Sequence, residues 1–244
     1  MKVDVSAYLV VGRENTNGRP VSQIVSDAVR AGFTCVQIRS KTASALEMIE
    51  DCKKSAEEIA KLGKSDSVAL LVDDRLDIAL AARSLGIKVD GVHVGQSDIP
   101  VSICRKFLGK DAIIGLSAPT KDLISYVQNA DISEIDYFGA GPVHETATKP
   151  DCGMDETGHV ITKTFDELCE LGKKSPIPVV VGGGVCGEGD PLLIPMREKT
   201  MSRPYFGPGV KKTRIELAQM GNDAGIVGAA MMGKSCVDDG KNGK

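Results

Sequence analysis

Asp-Tyr-Phe-Gly-Ala-Gly-Pro-Val-His-Glu-Thr-Ala-Thr-Lys, residues 136–149, is the stretch from which the rest of the chain is best read. Its pattern predicts a short buried strand, Tyr137 to Val143, that empties into a loop bearing two hydroxyls and an ammonium, Thr146, Thr148 and Lys149. Such a loop suits an anion. Gly139 and Gly141 leave room for a ligand or a second backbone, Pro142 ends strand pairing, and the hydroxyls and Lys149 can all donate to phosphate oxygens. A polar surface loop without a ligand has the same composition, so the surrounding pattern must decide.

On both sides of this stretch, short apolar runs alternate with amphipathic ones. Strands are expected at 7–11, 35–39, 68–72, 91–94, 113–116, 137–143 and 177–181. Helices are expected between them at 21–31, 45–62, 76–85, 101–108, 121–129 and 164–174. On the longest helix, Ile49, Cys52, Ala56, Ile59 and Ala60 are expected to share one face. The strands are β-branched and apolar on both faces, which predicts a parallel sheet covered by helices. Repeated βα units of about 25 to 30 residues predict an α/β fold, a (β/α)8 TIM barrel.

The polar residues agree with that architecture by where they fall. Gln37, Arg39 and Lys41 end or follow strand 2, Asp73 and Asp74 end strand 3, and Gln96 and Asp98 follow strand 4. Ser117 ends strand 5, the Thr-x-Thr-Lys loop follows strand 6 and Gly182 to Gly184 follow strand 7. All are at carboxyl ends of strands, the face on which a barrel assembles its active site.

Composition narrows the partners. With 42% hydrophobic residues in 244 and a net charge of −3, the chain can bury a substantial core and carries no concentrated basic face for nucleic acid. It has no apolar run of about 18 residues and no signal-peptide pattern, so a soluble, cytoplasmic protein without a membrane segment is expected. The seven cysteines, Cys35, Cys52, Cys104, Cys152, Cys169, Cys186 and Cys236, contain no Cys-x-x-Cys pair and read as free thiols. Oligomeric state is open, a homo-oligomer included.

The types at the expected mouth point to a chemistry. Arg39, Lys41 and Lys149 supply positive charge, while Asp74 and Asp98 on neighbouring strands can share one hard cation. Mg²⁺ takes one or two protein carboxylates and completes its shell with water and phosphate oxygens, which suits a diphosphate substrate. The same carboxylates can instead cap helices, Asp74 the one starting at Leu76 and Asp98 the one near Pro100.

From about Tyr8 to Val185 the chain resembles the thiamin phosphate synthase (thiamine-phosphate pyrophosphorylase) family. The resemblance rests on Val-Gln-Ile-Arg-Ser-Lys at 36–41, Asp-Asp-Arg-Leu-Asp-Ile-Ala at 73–79 and Gly-Val-His-Val-Gly-Gln-Ser-Asp at 91–98. Ile-Ile-Gly-Leu-Ser at 113–117, the Gly-Ala-Gly-Pro-Val and Thr-Ala-Thr-Lys segments, and the strand ending in triglycine extend it. It implies a (β/α)8 barrel that joins hydroxymethylpyrimidine diphosphate to a thiazole phosphate, releasing pyrophosphate and using Mg²⁺. It further implies that Gln37, Arg39, Lys41, Asp73, Ser117 and Lys149 hold the pyrimidine diphosphate, with Arg39, Lys41 and Lys149 as the catalytic cations. By the same carry-over Asp74 and Asp98 hold Mg²⁺, and Thr146, Thr148 and Gly184 hold the thiazole phosphate. One departure is Asp73, where the family usually has Asn; an amide donor is lost and a negative charge added.

The larger departure is the tail. The family continues into an eighth strand ending in Val-Ser or Ile-Ser, whereas this chain, from about 179 to 235, resembles the C-terminal end of a ROK-family sugar kinase. The kinase's catalytic Asp, N-terminal phosphate loop and cysteine-histidine zinc cluster have no counterparts here. The expected organisation is a synthase-like barrel over 1–185, a tail over 186–233 that completes it, and a loose end at 234–244. In the tail, 191–201 would be helix 7, 212–218 strand 8 and 223–232 helix 8. A barrel that binds without turning over, its thiazole phosphate grip lost with the tail, is the alternative.

Two further patterns carry less. Gly182, Gly184 and Gly187 satisfy the dinucleotide Gly-x-Gly-x-x-Gly, but no acidic residue stands about 20 positions on, where Gly207 falls. His93, inside a strand, reads as a satisfied structural histidine, and His144 as a loop residue near the ligand.

Overall fold

A computed structural model of the chain describes residues 3–119, 121–141 and 161–182. Seven strands pair in parallel, in chain order, as one sheet curled into a nearly closed barrel. They are β1 (Tyr8–Val11), β2 (Cys35–Ile38), β3 (Ala69–Asp73), β4 (Gly91–Val94), β5 (Ile113–Ser117), β6 (Tyr137–Ala140) and β7 (Val179–Val181). The helices are α1 (Val21–Arg30), α2 (Ala45–Lys61), α3 (Leu76–Ser84), α4 (Val101–Leu108), α5 (Leu123–Asn129) and α6 (Phe165–Lys174), and a 3-10 turn, Arg13–Asn15, follows β1. The TIM-barrel expectation holds over these elements. The helices and strand expected within 186–233, and the barrel's closure by them, lie outside the described residues.

The strand period of two sorts the core into layers. Val36, Leu70, Val92, Ile114 and Phe138 point outward and join the apolar faces of the helices in the larger cluster. Cys35, Ala69, Leu71, Ile113 and Tyr137 point inward and form a second cluster with Tyr8 and Val180. Apart from the Tyr8 and Tyr137 hydroxyls, which meet each other inside it, the interior therefore admits polar side chains only where the apolar inward positions stop, toward the strand ends. Its packing is tight enough to need two glycines: a Cβ on Gly115 would lie 2.1 Å from the Tyr137 ring, and one on Gly139 would lie 2.9 Å from the His93 ring.

Local chemistry sets most boundaries. Ser44 and Glu47 form a reciprocal capping box at the start of α2, as Thr164 and Glu167 do for α6. α5 begins at Leu123, two residues later than expected, because Asp122 takes a left-handed conformation with φ +54°. β7 begins at Val179, after Pro178, which has no N–H for the ladder. The expected face of α2 holds for Cys52 and Ile59, which are buried, and for Ile49 and Ala56, which pack against the core; Met48, Asp51 and Ser55 are buried as well, whereas Ala60 is exposed. Cys35, Cys52 and Cys104 are buried free thiols, and burial pushes Cys35 and Cys52 up to about 12. Among the described residues no helix is long and apolar enough to cross a membrane.

The end of the barrel opposite the mouth is held by two arginines. Arg83 donates to the carbonyls of Val89, Asp90 and Leu108 at 2.7 to 2.8 Å. Arg105 donates to the carbonyls of Ala112 at 2.6 Å and Glu134 at 3.0 Å, and pairs with Asp136 at 2.8 Å. Asp136 in turn accepts from the Ile114 N–H at 2.8 Å, so one guanidinium couples α4 to the entries of β5 and β6. Replacing Arg105 by Met strands these acceptors and should destabilise the protein by about 2 to 3 kcal/mol. Urea unfolding would read this as a lower midpoint at constant slope, and an unchanged midpoint would contradict it.

Candidate functional site

Those polar residues expected at strand ends that fall among the described residues gather at one mouth. Gln37 and Asp73, the inward residues nearest the ends of β2 and β3, are only 4% and 6% exposed. Arg39, just beyond β2, places its Nε 3.0 Å from Asp73 Oδ2, a mostly buried ion pair. The negative charge of Asp73 is thus matched inside the protein. Lys41, two residues further, places Nζ 2.9 Å from Asp74 Oδ2 in a more exposed pair.

Asp74 and Asp98 meet across the ends of β3 and β4. Asp74 has φ +59°, a left-handed conformation uncommon for any residue but glycine, and its N–H donates to the His93 carbonyl at 2.7 Å. Asp98 accepts from the Gly95 N–H at 2.7 Å. Burial raises the Asp98 carboxyl above its ordinary value, and its hydrogen bond to Asp74 and the charge of Asp74 raise it further, against the opposite pull of Gly95 and Lys41. Neither carboxylate stands at a helix N-cap: those positions are Arg75 for α3 and Pro100 for α4. Among the described residues no set of three or more His, Cys, Asp or Glu side chains comes together as a metal site. Two crowded carboxylates at an open mouth can nonetheless hold a hard cation that keeps other oxygens for water or phosphate.

Ser117 ends a hydrogen-bonded line through the barrel interior. Tyr8 Oη lies 2.7 Å from Tyr137 Oη, Tyr137 Oη lies 2.9 Å from His93 Nδ1, and His93 Nε2 lies 2.9 Å from Ser117 Oγ. Burial, above all, pushes both tyrosines well above the usual phenol range, so they remain neutral. His93 is the satisfied histidine expected from its position in a strand, with both ring nitrogens engaged. It also orients a mouth residue, a role its sequence position did not disclose. The signal that could have found it is the pair of glycines, Gly115 and Gly139, that make room for Tyr137 and His93. On the neighbouring side, Gln96 Nε2 donates to the Ser117 carbonyl at 2.7 Å.

Gly141 meets the second of the two expectations raised for it. A Cβ there would lie 2.6 Å from the Gly182 carbonyl, so its bareness admits another backbone, at φ +143°. The remaining expected site residues, Thr146, Thr148, Lys149 and Gly184, and His144 beside them, lie outside the described residues.

The chain has known relatives. The family model described as thiamine monophosphate synthase matches residues 7–194. A thiamine-phosphate synthase of Clostridium botulinum is 35% identical over 184 residues, 75% of this chain and 77% of that protein. One of Corynebacterium efficiens is 38% identical over 190 residues, 78% of this chain and 81% of its own. Among solved structures, a thiamine phosphate pyrophosphorylase from Pyrococcus furiosus superposes with a TM-score of 0.55 at 26% identity, covering 73% of this chain and 75% of that one. With a family model matched over most of the chain and relatives of this identity aligned over three quarters of it, the chain belongs to the thiamine monophosphate synthase family.

Proposed function

We propose that this chain joins hydroxymethylpyrimidine diphosphate to a thiazole phosphate, giving thiamin phosphate and pyrophosphate. The observation that carries the reading is the contact of the Asp74 and Asp98 carboxyls beside Lys41, with the Arg39–Asp73 pair directly inside it. Two carboxylates pressed together by neighbouring strands call for a cation between them, and the adjacent cations call for an anion. A diphosphate chelating a divalent ion satisfies both.

The donor set, two carboxylates and no soft ligand, fits Mg²⁺ at Asp74 and Asp98. When bound there, Mg²⁺ would supply charge that stabilises the diphosphate as a leaving group. Arg39, Lys41 and Lys149 would take the charge that builds on the diphosphate oxygens as the carbon–oxygen bond breaks. Lys41 now rests on Asp74 in a half-exposed pair worth little, so its ammonium can transfer to those oxygens at small cost. Gln37, Asp73 and Ser117 would bind the pyrimidine end. Of these, Ser117 is oriented by His93 through the interior line of hydrogen bonds.

The bond to the diphosphate breaks first and its electron pair leaves with pyrophosphate. The thiazole nitrogen then donates its lone pair to the pyrimidine-stabilised cation, so the reaction needs no strong base. Thr146, Thr148 and Gly184 would hold the thiazole phosphate. The tail, 186–233, would close the barrel despite its likeness to a sugar kinase. Supporting that, β1 and β7 end the sheet among the described residues, and Val3, Val5 and Tyr8 line a cleft with Val179, Val180 and Val181.

Incubating the purified chain with both substrates and Mg²⁺ and assaying thiamin phosphate tests the reading; product should form, and binding of the pyrimidine diphosphate without product would favour a barrel that only binds. Asp98→Ala, at a mouth position outside the core, should lower turnover at limiting Mg²⁺ by about a hundredfold or more without loss of fold. Unchanged turnover would sink the metal assignment. Asp73→Asn should act in the opposite sense. By removing the charge that occupies Arg39 it should lower KM for the pyrimidine diphosphate by about threefold or more, and steady-state kinetics showing a raised KM would contradict the role given to that ion pair.

A further inference from the structure

The segment that carries Arg39 and Lys41 is fixed from below by the turn that follows β1. The Arg39 N–H donates to the Val11 carbonyl at 2.9 Å. Gly12 packs directly on Arg39, for a Cβ at Gly12 would fall 1.7 Å from the Arg39 carbonyl oxygen. The next contact is made by a side chain. Glu14 Oε1 accepts from the Lys41 N–H at 2.8 Å, the Thr42 N–H at 3.2 Å and the Thr42 hydroxyl at 3.0 Å, and also from the Ser40 hydroxyl. Ser40 Oγ in turn accepts from the Ala43 N–H at 2.9 Å, extending the hold to the start of α2.

The turn is itself anchored. Arg13, the neighbour of Glu14, pairs with Asp51 and Glu47 of α2, both at 2.7 Å. Burial acts to raise the Glu14 carboxyl, but the donors from Ser40, Lys41 and Thr42 outweigh it and hold the group at about 2, so it stays ionised at any working pH. One oxygen thus restrains three consecutive residues, 40–42, a run that begins directly after Arg39 and includes Lys41.

We propose that Glu14 is a positioning residue of the diphosphate subsite, holding residues 40–42 so that Arg39 and Lys41 present their charges to the same anion. This rests on the diphosphate reading given above. The sign of its effect sets it apart from simple electrostatics. A carboxylate near an anion site repels the anion, so on charge alone its removal would tighten binding. Positioning demands the reverse, since a slack loop must be ordered again each time the anion binds.

The test uses the full chain as Glu14→Ala, Glu14→Gln, Lys41→Ala and the double variant Glu14→Ala with Lys41→Ala. Pyrophosphate in the presence of Mg²⁺ is titrated by calorimetry, and KM for each substrate is measured. Glu14→Ala should weaken pyrophosphate binding and raise KM for the pyrimidine diphosphate by about tenfold, with KM for the thiazole phosphate unchanged. Glu14→Gln, which keeps the shape and one acceptor, should fall between and serves alone if the alanine variant fails to fold. The double variant should lose less than the product of the two single losses, because Glu14 acts through Lys41. Tighter or unchanged pyrophosphate binding in the Glu14 variants, with Lys41→Ala still impaired, overturns the positioning role. So does an equal loss for both substrates. Unchanged binding in Lys41→Ala overturns the diphosphate reading itself, and this inference with it.

Discussion

Parallel pairing in chain order is the constraint from which the site follows. Because all seven strands run the same way, every strand leaves the barrel at one face, and residues remote in sequence become neighbours there. Register then decides which of them touch. Asp73 lies opposite His93, and His93 opposite Gly115 and beside Tyr137, so a line of polar groups can cross the interior without a break. Inward positions nearer the entry, Cys35, Ala69 and Ile113, are apolar and fill the barrel. Apart from the Tyr8 and Tyr137 hydroxyls on that line, the polar chemistry is therefore confined to the last one or two residues of each strand and the loops beyond.

That confinement also explains the balance of charge. Arg39 with Asp73, and Lys41 with Asp74, form two ion pairs at increasing exposure from the interior to solvent. The inner pair is shielded from water and keeps its geometry; the outer one is screened and easily exchanged. Asp98 is raised by burial and by Asp74, against the opposite pull of the Gly95 N–H and Lys41. The crowding of its charge with that of Asp74 falls where a divalent ion and a diphosphate would add charges of both signs.

Much of this was legible from residue order. The alternation of apolar runs placed all seven described strands and six helices, and the types at the strand ends marked Gln37, Arg39, Lys41, Asp73, Asp74, Asp98 and Ser117 as one mouth. What escaped is what depends on three-dimensional neighbours. Capping and coordination by Asp74 and Asp98 could not be separated by spacing, since each carboxylate stands just before a helix; the backbone resolved it by giving the N-cap positions to Arg75 and Pro100. Gly139 was read as space for a ligand or backbone, yet the space is taken by the His93 ring, whose partner strand is more than forty positions away in sequence. Glu14 bears no motif at all. Its hold on residues 40–42 arises because the turn after β1 lies beside the loop after β2, a relation set by parallel pairing and invisible to local pattern.

The central claim is that the mouth binds an anion and a divalent cation as a unit, each compensating charge that the other leaves exposed. Calorimetric titration of the unmodified chain with pyrophosphate, with and without saturating Mg²⁺, tests it most directly. The account predicts that Mg²⁺ strengthens pyrophosphate binding to the protein by about tenfold or more, and that pyrophosphate strengthens Mg²⁺ binding by the same factor. Equal pyrophosphate affinity in the presence and absence of Mg²⁺ would contradict it.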